Sequence, residues 1–441
     1  MSAPSSAIGM AFRALRRHRR QGSDDETVSN AGYAWQLWSE VLNSPANIEI
    51  GITVASVGRA NGASASSAYL GSYNGLNLYQ GGAGRELAAG IDVTGANPDI
   101  VINLDPAYVR NELWLDPTPG AAPVIPTTRT DAVSVLVHEI GHGLGFNGWR
   151  DGTTGALPGN YLDTFDLQVG NPGGGPVFNG PTATAVFGGA VPLTLGNYGH
   201  YGNVSEPPGT NPLAGLMNGV AYYRGTRYAI SDLDLAILTD VGDPILVRRA
   251  GTAGDDAIVD GVLASEIVAG QGNDAVRAGS GNDIVYGNQG ADLIYGNQGD
   301  DRLFGGQDND AVFGGQGADI VYGNFGADVV YGNFGDDALY GGQGDDVLYG
   351  GQGNDILFGN LGDDVLYGNL GADRFVFGVN SGRDLVVGFD QGQGDRLLLN
   401  GQGYTLGTSG AGNALLVLAG GGSVELAGIA AAAFSGGAYL A

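Results

Sequence analysis

Three regimes of hydrophobic and polar positions follow one another along the chain. Over about 27–247 the pattern is mixed, as in a globular domain. Trp35, Leu37, Trp38 and Val41 recur at helical rather than alternating spacing, which predicts a helix over 34–42 capped by Asn30. Partial alternation over 48–57 predicts a strand, and the apolar run Ile100–Leu104 predicts another. Thr130 then caps a strongly patterned helix, with Asp131 in the first turn at the positive end of its dipole. Ala132, Val133, Leu136, Val137 and Ile140 share one face of it. Gly-, Pro- and Asn-rich sequence continues to about Tyr201, and a last helix is predicted over 231–238, burying Leu233, Ile237 and Leu238.

Over 251–376 the period becomes nine. Aspartate recurs without a gap at Asp274, Asp283, Asp292, Asp301, Asp310, Asp319, Asp328, Asp337, Asp346, Asp355, Asp364 and Asp373, with Asp256 in the same register two steps earlier. Two residues after each Asp stands an apolar one, from Val276 through Leu339 to Phe375. A representative unit runs from Gly287 to Tyr295. Its first six positions alternate Gly with polar residues and suit a tight turn, because Gly accepts positive φ at little cost. Its last three positions form a short strand whose central residue points inward. Two units make an eighteen-residue coil, so the carboxylates stack in two columns, Asp274, Asp292 and Asp310 in one and Asp283, Asp301 and Asp319 in the other. Asn replaces the second Gly at Asn288, Asn297, Asn324, Asn333, Asn360 and Asn369, and Asp308 stands where Gly is expected. The aromatic ninth position, from Tyr286 to Tyr367, reads as a stabilising ladder in preference to a ligand platform. Beyond, over 377–441, the period is lost and the sequence turns apolar and Gly/Ala-rich.

Composition sharpens this picture. The chain has 441 residues, 82 of them Gly, no Cys, no Lys and a formal net charge of −27. Between Asp255 and Arg396 stand 24 acidic residues and five arginines, so 19 of those 27 negative charges lie in and beside the repeat. Carboxylates stacked a strand spacing apart repel unless a cation lies between them, and calcium takes six to eight oxygen ligands of this kind. So acidic a balance disfavours nucleic acid and anionic membranes as partners. Without Cys there is neither a disulfide framework nor a thiolate metal site. No apolar run approaches the roughly 20 residues of a transmembrane helix. At the N-terminus no apolar segment of a cleaved signal stands out. Residues 1–26 read instead as a basic, solvated and disordered arm containing Arg13, Arg16, Arg17, His18, Arg19 and Arg20, with a propeptide or surface-docking role as the alternative.

The repeat resembles the glycine-rich nonapeptide G-G-x-G-x-D-x-U-x of the RTX family over twelve consecutive units. The resemblance implies a parallel β-roll over 251–376 that binds several calcium ions through the Asp series. It also implies export by type I secretion machinery, which reads an uncleaved C-terminal signal. Residues 377–441, with Asp384-Leu-Val-Val-Gly-Phe-Asp390, look like the roll's cap and that signal. A self-repelling roll would stay unfolded at low cytosolic calcium and fold outside the cell.

Within 27–247, His138-Glu139-Ile-Gly-His142 lies on the predicted capped helix. Histidines at i and i+4 present both imidazoles on one face for zinc, with Glu139 beside them as general base. The continuation Gly143-Leu-Gly145 resembles the metzincin motif HExxHxxGxxH, and the peptidase-plus-roll arrangement resembles the serralysins. Gly148, however, occupies the place of the third histidine, so a standard serralysin site is excluded. The chain's four histidines are His18, His138, His142 and His200. By similarity to leishmanolysin-like metzincins, which insert a long segment before the third ligand, His200 becomes the third zinc ligand. Asp151, Asp163 and Asp166 are the substitutes. Met217, in Leu216-Met217-Asn218-Gly219, is similar to a Met-turn beneath the metal, and is ordinary core otherwise. Tyr222 and Tyr223 are candidates for steadying an oxyanion, although their spacing from Met217 departs from the serralysin pattern.

The expectation is therefore an α+β metzincin-like zinc peptidase domain over 27–247, followed by an all-β RTX roll. Its function would be that of a secreted endopeptidase acting on proteins or peptides, with one catalytic Zn²⁺ and several structural Ca²⁺. The rival expectation is an extracellular surface, matrix or adhesive RTX protein whose peptidase-like domain is inactive. An RTX lipase would need a G-x-S-x-G elbow, which is absent from the sequence.

Overall fold

The computed structural model describes residues 15–16, 23–42, 44, 46, 48–54, 57, 60–64, 66–74, 76–89, 97–120, 124–146, 156–157, 161–170, 176–194, 197–201, 217 and 228–440. The chain divides into two units, Met1–Leu246 and Val247–Ala441.

In the first unit the strands Leu15–Arg16, Ile50–Val54 and Ile100–Leu104 run parallel, and Ala60–Ser64 joins the last of them antiparallel. The strand expected over 48–57 is thus shorter, and part of the expected N-terminal arm belongs to the sheet. Strand Ile100–Leu104 alternates buried and half-buried positions, placing Ile100, Ile102 and Leu104 in the core. The first helix is Ser23–Ser39, not 34–42. Asn30 is consequently inside it, not its cap. Its buried carboxamide pairs with the backbone of Asp116, donating to the carbonyl and accepting from the N–H, both at 2.9 Å. An Asn that satisfies a distant backbone pair reads in sequence like a helix cap, because the same acceptor chemistry serves both.

The strongly patterned helix is Ala132–Leu144. Its N-cap is Asp131 and not Thr130: the Asp131 carboxylate accepts from the Ser134 N–H at 3.0 Å. The last helix is Asp232–Val241, longer than expected at its C-terminal end. It is opened by a Ser231–Asp234 capping box and closed at Gly242 with φ 103°.

The second unit is a roll of two parallel sheets, one of nine strands and one of eleven, with successive strands of each sheet eighteen residues apart through the array. Ile294, Leu303, Val312, Val321 and their equivalents are completely buried between the sheets. The strands are six residues long, for example Leu293–Gln298 and Val347–Gln352, where three were expected. The strands run on into the first three positions of the next unit, with a positive-φ residue at the second of them, leaving three residues for each turn. The Asn substitutions fit this geometry. Asn288, Asn297, Asn324, Asn333, Asn360 and Asn369 all have φ between 71° and 83°, and Asp308 has 74°. Among residues with a Cβ, Asn and Asp adopt this left-handed region most readily. Beyond the array the eleven-stranded sheet ends in the antiparallel strands Tyr404–Thr408, Asn413–Leu418 and Ser423–Ala430.

Candidate metal centres

In the first unit the patterned helix carries His138, Glu139 and His142. Val133, Leu136, Val137 and Ile140 are buried to within 1 % of complete, which sets the helix's rotation. The Trp38 indole N–H donates to the Val137 carbonyl at 2.8 Å and pins the same turn. His138 and Glu139 are themselves buried, and the two imidazoles meet edge to face with centroids 4.7 Å apart.

His142 Nδ1 lies 2.6 Å from the Phe146 carbonyl oxygen. A carbonyl only accepts, so Nδ1 carries the proton and the lone pair resides on Nε2, the tautomer a metal ligand needs. Burial holds the His142 pKa below its ordinary value, although the Phe146 bond opposes this. The ring is therefore kept neutral.

Between the two histidines, Gly141 makes room for Met217. A Cβ at Gly141 would stand 2.9 Å from Met217 Sδ and 3.3 Å from Trp38 Cζ2. Met217 is completely buried, and its N–H donates to Asp234 Oδ1 at 3.1 Å. Asp234 Oδ2 accepts from the Ser231 N–H and hydroxyl, both at 2.7 Å. One buried carboxylate thus joins the last helix to the methionine packed against the histidine-bearing helix.

His200 lies in the strand Asn197–Tyr201, but its side chain is outside the described residues, as are Gly148, Asp151, Tyr222 and Tyr223. Asp163 is occupied as the N-cap of the helix Thr164–Leu167, accepting from the Asp166 N–H at 2.7 Å. Burial and the Asp166 carboxylate push it up to about 8. Among the described residues no group of three or more His, Asp or Glu side chains is gathered for a metal. The donors that fit zinc there are His138 and His142, one turn apart and with one tautomer fixed. The Phe146 carbonyl and Asp234 escaped the sequence reading, since neither belongs to a motif; the Ser231–Asp234 spacing was the available signal for the latter.

In the roll, each repeat carboxylate bridges coils. Asp292 Oδ1 accepts from the Asp274 N–H at 2.8 Å, Asp301 from Asp283 at 2.8 Å and Asp355 from Asp337 at 2.9 Å, each eighteen residues earlier. The fifth position bonds in the opposite direction: Asn282 and Asp300 accept from the backbone of the following coil. The other oxygen, Oδ2, is buried and without a hydrogen-bond partner at all twelve positions from Asp274 to Asp373. Leaving so many buried acceptors unmatched is costly, and a native structure requires a reason for it.

From the unit of Asp292 onward the first position is a bare glycine, whose surroundings supply a reason, whereas Ala269 and Ala278 hold that position in the units of Asp274 and Asp283. A Cβ at Gly323 would collide with Asp328 Oδ2 and come within 2.6 Å of the Gly341 carbonyl oxygen. A carboxylate oxygen and a carbonyl from the next coil therefore converge at each first-position glycine from Gly287 to Gly350. Burial is the main cause that raises the carboxyl pKa values, to about 6 at Asp328 and about 8 at Asp337. At Asp337 the carboxylates of Asp319 and Asp355, a coil away on either side, add to it. Orphaned anionic oxygens beside carbonyls make an all-oxygen cradle, which fits calcium.

The aromatic ninth positions stack in two columns, Tyr286–Phe304–Tyr322–Tyr340–Phe358 and Tyr295–Phe313–Tyr331–Tyr349–Tyr367. Their centroids are 4.5–5.0 Å apart and their planes lie within 14° of parallel. Ring faces are thus taken up by neighbouring rings and only edges remain for solvent. This arrangement is a ladder, not a platform for stacking a ligand.

Comparison with known proteins bears on the roll. The family model described as "RTX calcium-binding nonapeptide repeat (4 copies)" matches residues 250–285, 266–294, 277–312, 286–321, 313–348 and 340–375. The solution structure of the AlgE6R3 subunit from the mannuronan C5-epimerase of Azotobacter vinelandii is similar at 28 % identity. That match covers 30 % of this chain and 78 % of that one, with a TM-score of 0.21. No curated protein matches the chain. Residues 250–375 are RTX calcium-binding repeats folded as a parallel β-roll.

Proposed function

We propose that the chain is an extracellular zinc-dependent endopeptidase, exported by type I secretion machinery and stabilised outside the cell by its calcium-loaded roll. The observation that carries this reading is the histidine-bearing helix: buried His138 and Glu139 and half-buried His142 within about one turn, with His142 held in the metal-binding tautomer by the Phe146 carbonyl. Met217 packed on Gly141 and tied to Asp234 adds support. His138, His142 and His200 would hold the zinc, which when bound supplies a Lewis acid and a water acidified to a pKa of about 7. With zinc bound, Glu139 would be the residue placed to accept a proton from the attacking water and to pass it to the leaving amine. Its burial limits competing water, which strengthens its interaction with charge developing beside it.

Zinc content and casein hydrolysis of the calcium-loaded wild type, Glu139→Gln and His200→Ala test this. The expected result is about one zinc in wild type with hydrolysis, zinc without hydrolysis in Glu139→Gln, and loss of both in His200→Ala. A wild type that takes up no zinc would overturn the reading. It would favour a second reading, a calcium-roll surface, matrix or adhesive protein, which rests on the calcium-binding repeats alone.

A further inference from the structure

Asp243 follows the last helix of the first unit and is 4 % exposed. Neither of its carboxylate oxygens has a hydrogen-bond partner. Unlike the roll aspartates it belongs to no repeat, and it takes no part in the zinc chemistry above. Its surroundings come from three separate elements. A Cβ at Gly84, in the helix Gly82–Ala89, would stand 2.7 Å from Asp243 Oδ1, 3.0 Å from the Leu144 carbonyl oxygen and 3.3 Å from the Gln80 side-chain amide. On the other side, Asp243 Oδ2 is 3.9 Å from the Cβ position of Gly145. The carboxylate, a peptide carbonyl and a carboxamide thus converge on the space that a Cβ at Gly84 would fill.

Leu144 is the last residue of the histidine-bearing helix, whose C-terminal carbonyls carry the negative end of its dipole. An unpaired carboxylate buried against that end is unfavourable twice over, by desolvation and by repulsion. A cation there reverses both effects. Every donor available is an oxygen: both Asp243 oxygens, the Leu144 carbonyl and, with its amide turned, Gln80 Oε1. A bidentate carboxylate with neutral carbonyls suits calcium, which tolerates irregular geometry. Magnesium demands an octahedron and zinc prefers nitrogen or sulfur.

We infer that Asp243, Gln80 and the Leu144 carbonyl form a calcium site in the first unit, separate from the roll, which ties the end of the histidine-bearing helix to the last helix. The site does not depend on the chain being a peptidase. Native mass spectrometry of the full chain in calcium, comparing wild type with the isosteric Asp243→Asn, tests it by counting bound ions. The expected result is one calcium fewer per chain in Asp243→Asn, with faster hydrogen exchange over 80–89 and 142–146. Gln80→Met, which keeps the volume but removes the amide oxygen, should weaken the same ion's retention and so reads the site even if Asp243→Asn folds poorly. An unchanged calcium count with unchanged or slower exchange in Asp243→Asn would overturn the inference, because relieving an unpaired buried charge stabilises a site that holds no cation.

Discussion

Withdrawal of calcium from the roll has a consequence whose sign and size follow from the carboxylate columns. Burial pushes Asp301, Asp310, Asp337 and Asp346 to about 8, and Asp283 and Asp355 to about 7. Asp292, Asp319, Asp328, Asp364 and Asp373 reach about 6. A rise from 3.8 to about 8 is roughly four units at about 1.4 kcal/mol each, so ionising Asp337 in a calcium-free roll costs up to about 6 kcal/mol. Water entry and relaxation reduce this several-fold. Even about 1 kcal/mol retained at each of these eleven positions rivals the roughly 5–15 kcal/mol that stabilises a whole domain.

Because these values lie above those of the unfolded chain, the folded roll holds more protons than the unfolded one between about pH 4 and 8. The proton-linked stability is therefore complete below about pH 4 and is lost as pH rises through 6 to 8. In the calcium-selective chelator EGTA, hydrogen exchange corrected for intrinsic rates should show residues 274–373 protected near pH 4.5 and open near pH 8. Calcium at pH 8 should restore protection, since the cations then take the protons' place between the stacked oxygens. Full protection at pH 8 in EGTA would refute the reasoning, as would an array that opens on acidification.

Two further outcomes are expected. Leu348→Ala removes a completely buried member of the inward stripe and should cost about 2–5 kcal/mol, read as a lower denaturant midpoint in saturating calcium. Asp234→Ala strips the acceptor from the Met217 N–H and from the Ser231 cap. It should lower the first unit's thermal midpoint by an amount equivalent to about 2–4 kcal/mol, with the roll's exchange protection unchanged.

The nine-residue Asp register and its apolar companion were enough to place the roll, because a solenoid coil contacts only its neighbours and its geometry repeats with its sequence. Asp274 to Asp373 and the inward stripe from Val276 to Phe375 were therefore legible residue by residue. The length of the strands was not. Glycine and Asn in a turn look the same in sequence as glycine and Asn in an extended segment that ends at positive φ, and only the pairing between coils separates the two.

In the first unit the balance is reversed. The HExxH spacing and its helix could be read locally, since both depend on contacts within one or two turns. What orients them could not: the Phe146 carbonyl on His142, Met217 against Gly141 through Asp234, and Asn30 inside a helix paired to Asp116. Each is a contact set by how separate elements pack, and no period in the chain encodes it. Asp243 makes the point most sharply. As a residue it is one carboxylate after a helix; as a candidate cation site it exists only because folding brings Gly84, Gln80 and Leu144 around it and removes the water that would otherwise solvate its charge.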